Sequence, residues 1–163
     1  METVKCVVLD NKEITGFVNA KTLLEFEDEE ELFVIDLDGL NKGAYNLKLY
    51  NELSKFFEIT VMSFPERTAD LVDSIVSGAS RVVISSNLPD RVIRDFLTVT
   101  EDLVMNYANM SGCRIFSENG GKYYLSNRMV DLPFEKVYLY RGALEKKGYV
   151  VLEGFPDFMP TEY

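Results

Sequence analysis

Asp36 and Asp38 stand two residues apart at the end of the apolar run Leu32 to Leu37. If that run is a strand, side chains at i and i+2 share a face, and both carboxylates point the same way at its C-terminal end, where α/β folds place their chemistry. Such a pair suits general acid-base work or nucleophilic attack. Asp10 holds the corresponding place after the first apolar run, Val4 to Leu9. Ser63, Ser85 and Ser86 follow two further apolar runs. Hydroxyls there, together with the N-terminus of the next helix, bind phosphate or another small anion. The same residues have a structural reading, in which the acids and serines cap the following turn or helix by accepting backbone N–H bonds. Arg67 and Arg81 are the nearest cations, suited to an anion or to surface ion pairs.

No histidine accompanies these groups. Its absence excludes a Ser-His-Asp triad, a histidine-bearing zinc site and any side chain whose ordinary pKa lies near neutrality. Proton transfer is left to Asp, Glu, Cys, Tyr or Lys. The 163 residues carry 17 Lys and Arg against 27 Asp and Glu, a net charge of -10, which argues against nucleic acid and anionic membrane as partners. With 47% hydrophobic and 27% charged residues the composition is that of a globular domain. A single domain of this length buries roughly 70% of its unfolded surface and holds a core without disulfide or metal. Cys6 and Cys113 lack the spacing of a disulfide framework or a metal site and read as reduced, semi-buried thiols. The first ten residues do not read as a signal peptide, and no apolar run reaches the roughly 18 residues of a membrane span. The expected setting is the cytoplasm, with no metal and no cofactor.

The candidate residues need a scaffold, and the hydrophobic pattern supplies one. Val4 to Leu9 reads as a strand, with Asp10-Asn11-Lys12 as a turn and Glu13 to Val18 as a hairpin partner. Glu25 to Glu31 holds six acids in seven residues and reads as a solvated helix end or loop, or as a surface for a basic partner. From Leu32 strands and helices alternate: Leu32 to Leu37, Ile59 to Met62 and Arg81 to Ser85 as buried strands, Tyr45 to Phe57, Glu66 to Ser77 and Pro89 to Leu97 as amphipathic helices. That order implies a parallel sheet with right-handed crossovers. Beyond residue 100, Leu103 to Tyr107, Arg114 to Phe116, Lys122 to Leu125, Lys136 to Tyr140 and Tyr149 to Leu152 read as short strands, with Glu118-Asn119-Gly120-Gly121 as a hairpin turn. The expectation is antiparallel pairing there. Tyrosines and phenylalanines crowd this second part, as core, covered edge or subunit interface.

The segments Val34-Ile35-Asp36-Leu37-Asp38-Gly39 and Gly78-Ala79-Ser80-Arg81-Val82-Val83-Ile84-Ser85-Ser86 occur at the separation found in a known family. In these residues the chain resembles ProFAR isomerase and the cyclase subunit of imidazole glycerol phosphate synthase, (βα)8 barrels of histidine biosynthesis. The resemblance covers about the first 100 residues and implies a barrel that takes a phosphorylated ligand at its strand C-termini. It assigns acid-base roles to Asp10, Asp36 and Asp38 and phosphate contacts to Ser63, Ser85 and Ser86. Met62-Ser63-Phe64-Pro65 replaces the family's glycine-rich phosphate turn, and Asn106 and Asn109 lie where a second acid is expected. The D-x-D-G of Asp36 to Gly39, with the E-N-G-G of residues 118–121, also resembles haloacid dehalogenase-type phosphatases, which use Mg²⁺. Leu40 stands in place of their Thr, and no Asp-Asp pair follows.

A closed (βα)8 barrel runs to roughly 250 residues, so 163 residues point to a partial one. The expected fold is α/β and one domain: a half-barrel core over residues 1–100, with a β-rich extension over residues 101–163 that forms short antiparallel strands. An open sheet edge would then favour a homo-oligomer, a dimer first. The expected function is binding of a small phosphorylated ligand. An oligomeric interaction protein and a Mg²⁺-dependent phosphatase are the alternatives.

Overall fold

Eight parallel strands close on themselves. The structure, a computed structural model, describes residues 2–157 and 160 apart from 18, 21, 22, 24, 25 and 27. The elements are β1 (Thr3–Asp10), β2 (Glu13–Ile14), β3 (Glu31–Asp36), α1 (Leu37–Lys42), α2 (Leu47–Ser54), β4 (Glu58–Met62), α3 (Thr68–Val76), β5 (Ala79–Ile84), α4 (Asp90–Val99), β6 (Leu103–Asn106), α5 (Met110–Glu118), β7 (Tyr123–Ser126), β8 (Lys136–Leu139) and β9 (Tyr149–Glu153). From β3 to β9 each strand pairs in parallel with its successor, and β9 returns to pair with β1 through Val4 and Leu152. The short β2 is the antiparallel exception, turned back on Leu9 of β1.

The half barrel expected from length is therefore replaced by a closed one, and the strands after residue 100 are parallel, not antiparallel. Chain is saved in the connections. Residues 127–135 carry β7 to β8, and residues 140–148 carry β8 to β9, without a helix in either. Parallel crossovers normally take a dozen residues or more and a helix to cover the sheet. Here aromatic rings do the covering. Phe134, in the first of these loops, packs edge-on against Tyr149 at 5.0 Å, and the Tyr107 and Phe116 rings meet Tyr124 at 5.8 and 5.5 Å. Among the described residues the crowded aromatics pack in or against the core, and closure removes the free edge that motivated a dimer.

Two further expectations change. Arg114 to Phe116 belongs to α5, which is capped by Asn109, whose side chain accepts from the Ser111 N–H at 3.0 Å. Cys113 and Phe116, three apart, are its buried stripe. Glu118 to Gly121 consequently ends a helix instead of turning a hairpin: the Gly121 N–H bonds the Phe116 carbonyl at 2.8 Å, and Gly120 takes φ +95°. On α3 only Leu71 of the expected apolar face is fully buried, and Val76 is left 80% exposed.

Alternation along the strands divides the core. Val7, Leu32, Val34, Val61 and Val82 face outward to Tyr50, Leu71, Ile93 and Phe96 of the helices. Phe33, Ile35, Met62, Val83, Val104 and Tyr138 fill the barrel interior. The strands are buried on both faces, which is why they read as unbroken apolar runs. At the N-terminal mouth the interior turns polar: Glu31 accepts from Thr60, Lys136 and Tyr138 at 3.0, 3.0 and 2.6 Å, with Arg81 at 3.4 Å. Glu31 is thus the inward end of the acidic run, whose Glu25 and Glu27 lie outside the described residues.

Candidate functional site

Asp36 ends β3 and is fully buried. Its Oδ1 accepts from the Gly39 N–H at 3.1 Å and the Asn46 Nδ2 at 2.7 Å; its Oδ2 accepts from the Asn46 N–H at 2.9 Å and from the Tyr50 hydroxyl. An ionised carboxylate offers about four lone-pair sites, and all are occupied. Burial first, then the charge and hydrogen bond of Asp36, push the Tyr50 hydroxyl far above its ordinary range, so it stays a donor. Asp38 is 4% exposed and accepts from the Asn11 and Lys12 N–H groups at 3.0 and 2.9 Å and from Asn46 Nδ2 at 2.8 Å. One asparagine thus bridges both acids, and the pair ties β3 to α1, α2 and the β1–β2 turn. Asp10 is exposed beside that turn, and the bonds to Asp38 come from its neighbours.

The bond from Asn46 first, then that from the Lys12 backbone, hold the Asp38 carboxyl below the usual range against the opposing effect of burial, with Asn11 and Lys42 adding to the depression. A depressed folded-state pKa contributes stability that is present above the unfolded value of about 4 and is lost as pH falls through the lower folded value. Urea midpoints should therefore decline as the pH drops below about 4, and Asp38→Asn should flatten part of that decline. An identical acid limb in the variant would overturn this assignment.

The serines lie elsewhere on the same C-terminal face. A cavity of about 600 Å³ opens between the ends of β3, β4 and β5, with Tyr45, Ser63, Phe64, Glu66, Ser85 and Asn87 in its wall. Ser63 is 1% exposed, and its Oγ makes no well-formed hydrogen bond among the described residues, the Tyr50 hydroxyl being its neighbour. Phe64 beside it takes φ +48°, a left-handed backbone that a bulky residue rarely adopts. Ser85 Oγ accepts from the Asn87 N–H at 3.0 Å and keeps its own proton to donate. The helices that follow, α3 and α4, have no side-chain cap on their first N–H groups.

Ser86 does not join this wall. Its Oγ accepts from the Asn109 N–H at 2.8 Å, latching the β5–α4 loop to the start of α5. The same approach explains Gly112, where a Cβ would stand 2.0 Å from the Ser86 carbonyl oxygen. Arg67 pairs with Asp70 at 3.0 and 3.1 Å on the surface, and Arg81 lies at the opposite end of β5. The predicted residues thus fall into three groups: Asp36 with Asp38, Ser63 with Ser85, and Asp10 and Ser86 apart from both.

Compared with known proteins, the chain matches no family model and no curated protein. The architecture is that of a TIM-like barrel, and the functional reading rests on the site. Among the described residues no three acid or thiol side chains are grouped as a metal site would group them, and no helix is long and apolar enough to cross a membrane. Burial pushes the Cys113 thiol up to about 11, and burial followed by the Glu153 charge raises that of Cys6 further, so neither is poised as a nucleophile. Sequence reasoning missed Asn46 and Tyr50, which complete the Asp36 network, and Tyr45 and Phe64, which wall the cavity. Asn46 ahead of an amphipathic run carries a capping signal, but its side chain faces the acids instead of its own helix.

Proposed function

We propose that this barrel binds a small phosphorylated compound in the cavity between β3, β4 and β5, as the resemblance to the ProFAR isomerase barrels implies, and that Asp36 and Asp38 hold the fold instead of transferring protons. The observation that carries the reading is Ser63 Oγ, a buried hydroxyl in the cavity wall that has the Tyr50 hydroxyl near it but makes no well-formed hydrogen bond. A polar group in that condition costs free energy unless a ligand satisfies it. Ser85 Oγ and the uncapped start of α4 add neutral donors of the kind that hold phosphate without an ion pair. Glu66 is the one charged residue lining the cavity and is exposed. Its carboxylate can accept from hydroxyls of the ligand.

The test is thermal unfolding of the full chain against phosphate, sulfate and ribose 5-phosphate. A ligand at 100 times its Kd adds roughly 2.7 kcal/mol, a rise of several degrees in Tm. Ser63→Ala should leave the unliganded unfolding free energy within about 1 kcal/mol of the parent, since it removes a buried hydroxyl without a well-formed hydrogen bond, and should abolish the ligand-induced rise in Tm. A flat response of the parent across the panel, or an undiminished rise in Ser63→Ala, would overturn the reading. The oligomeric interaction protein is supported by one observation, the 52% and 80% exposure of Phe56 and Val76 at the ends of α2 and α3. Sedimentation as a monomer at high concentration would remove the self-association form of it.

A further inference from the structure

The cavity between β3, β4 and β5 has a neighbour of about 510 Å³, set between the β1–β2 turn, the end of α1 and the start of α2. The two cavities share only Tyr45. Three exposed lysines from three elements ring the second one: Lys12 in the turn, Lys42 at the end of α1 and Lys48 at the start of α2. Two of them stand where local structure favours another residue. Asn11 and Lys12 join Asp10 to Glu13 as a two-residue hairpin loop, at φ +52° and +63°. Positive φ at both positions is the type I′ pattern, which favours Asn followed by Gly, so Lys12 holds a left-handed backbone that glycine would adopt without strain. Lys48 lies in the first turn of α2, which contains no acid and receives no cap bond from the Asn46 side chain. A cation at that end opposes the helix dipole. Neither Lys12 nor Lys48 forms an ion pair among the described residues.

We propose that this second cavity binds a small organic carboxylate with an apolar body, the carboxylate on Lys12 and Lys48 and the body against Tyr45, Leu47 and Leu49. Those three side chains are half-buried in the cavity wall. Apolar walls with a few placed charges are the usual make-up of a small-molecule site. Asp38 and Glu52 also line the cavity. Asp38 already accepts from the Asn11 and Lys12 N–H groups and from Asn46, with Lys42 at 3.9 Å. Three lysines against two acids leave one positive charge, which matches a monoanion. The two turn N–H groups that could have helped to cradle a phosphate are taken by Asp38, so the site offers ammonium charges without a backbone nest. Residues that break a local preference with no structural return are expected at functional sites. The inference does not rest on the phosphorylated ligand proposed for the neighbouring cavity, and neither Lys12 nor Lys48 lines that cavity.

The experiment is equilibrium dialysis of the full chain against naphthoate, with naphthalenemethanol as the neutral counterpart and acetate as the anion without an apolar body. Naphthoate should bind saturably with a Kd of about 1 mM or below, and both counterparts roughly 10-fold or more weakly. Raising NaCl to about 0.5 M should weaken naphthoate by screening the lysines. Lys12→Gly and Lys48→Gln should each raise its Kd about 3-fold, and the double variant about 10-fold. Both variants should keep or raise the Tm of the free protein, because the first relieves the turn and the second removes a cation from the wrong end of a helix. Loss of binding without loss of stability separates a ligand role from a structural one. Absence of saturation up to about 10 mM naphthoate would overturn the proposal. So would equal binding of the neutral alcohol, or a double variant that binds naphthoate as the parent does.

Discussion

Asp36→Asn should lower the unfolding free energy by about 3 kcal/mol, seen as a fall of roughly 10 °C in Tm and an equal loss from urea midpoints at neutral pH. The substitution conserves shape and changes one acceptor oxygen into an NH₂ group. Placed at Oδ1, that group faces the Gly39 N–H and Asn46 Nδ2; placed at Oδ2, it faces the Asn46 N–H and the Tyr50 hydroxyl. The tyrosine can turn and accept, but the Asn46 N–H cannot, so at least one buried donor is left against another. Tyr50→Phe deletes one donor and leaves three bonds to the carboxylate, so its cost should be nearer 1 kcal/mol. The contrast decides what the acid does. Were Asp36→Asn as stable as the parent, the hydrogen-bond set would not be what fixes this carboxylate, and a chemical role would return to it.

The parallel core was legible because each strand from β3 to β5 is buried on both faces and flanked by an amphipathic helix with a recognisable stripe. Barrel closure was not. Length argued against it, and the connections that save chain, residues 127–135 and 140–148, contain no helical period to mark them as crossovers. Phe134 and Tyr149 do the work of a helix there, but an aromatic in a loop looks the same in sequence whether it covers a strand or an interface. The start of α5 was hidden for a related reason. Its tight approach to Ser86 requires Gly112, and a glycine beside short apolar runs reads as a break in a strand. At the site, the carboxylate pair was visible from its i, i+2 spacing. Its saturation was not, because the donors from Asn46 and Tyr50 reach it only once α2 folds back onto the end of β3.

The opposite end of the barrel gives the second large effect: Glu31→Ala should cost about 3 kcal/mol or more. In sequence Glu31 is the last of a run of acids, each individually at home in water. In the fold its side chain is 14% exposed and faces Arg81 from β5, Lys136 and Tyr138 from β8, and Thr60 from β4. Burial first, and then the Glu31 charge and hydrogen bond, raise the Tyr138 hydroxyl well above its ordinary range, so that proton stays on tyrosine and points at the carboxylate. Alanine would leave two mostly buried cations, at 22% and 23% side-chain exposure, facing each other without an anion. Breaking such a group is far more damaging than replacing it whole, since desolvation of the charges is already close in size to their attraction. The combination of Glu31→Met, Arg81→Met and Lys136→Met should therefore recover most of the loss, even though it removes more polar contacts than the single change. Urea unfolding of the single and triple variants checks this. A triple variant less stable than Glu31→Ala would mean that the polar network contributes net stability to barrel closure, and that the charges do more than fix the relative placement of β3, β5 and β8.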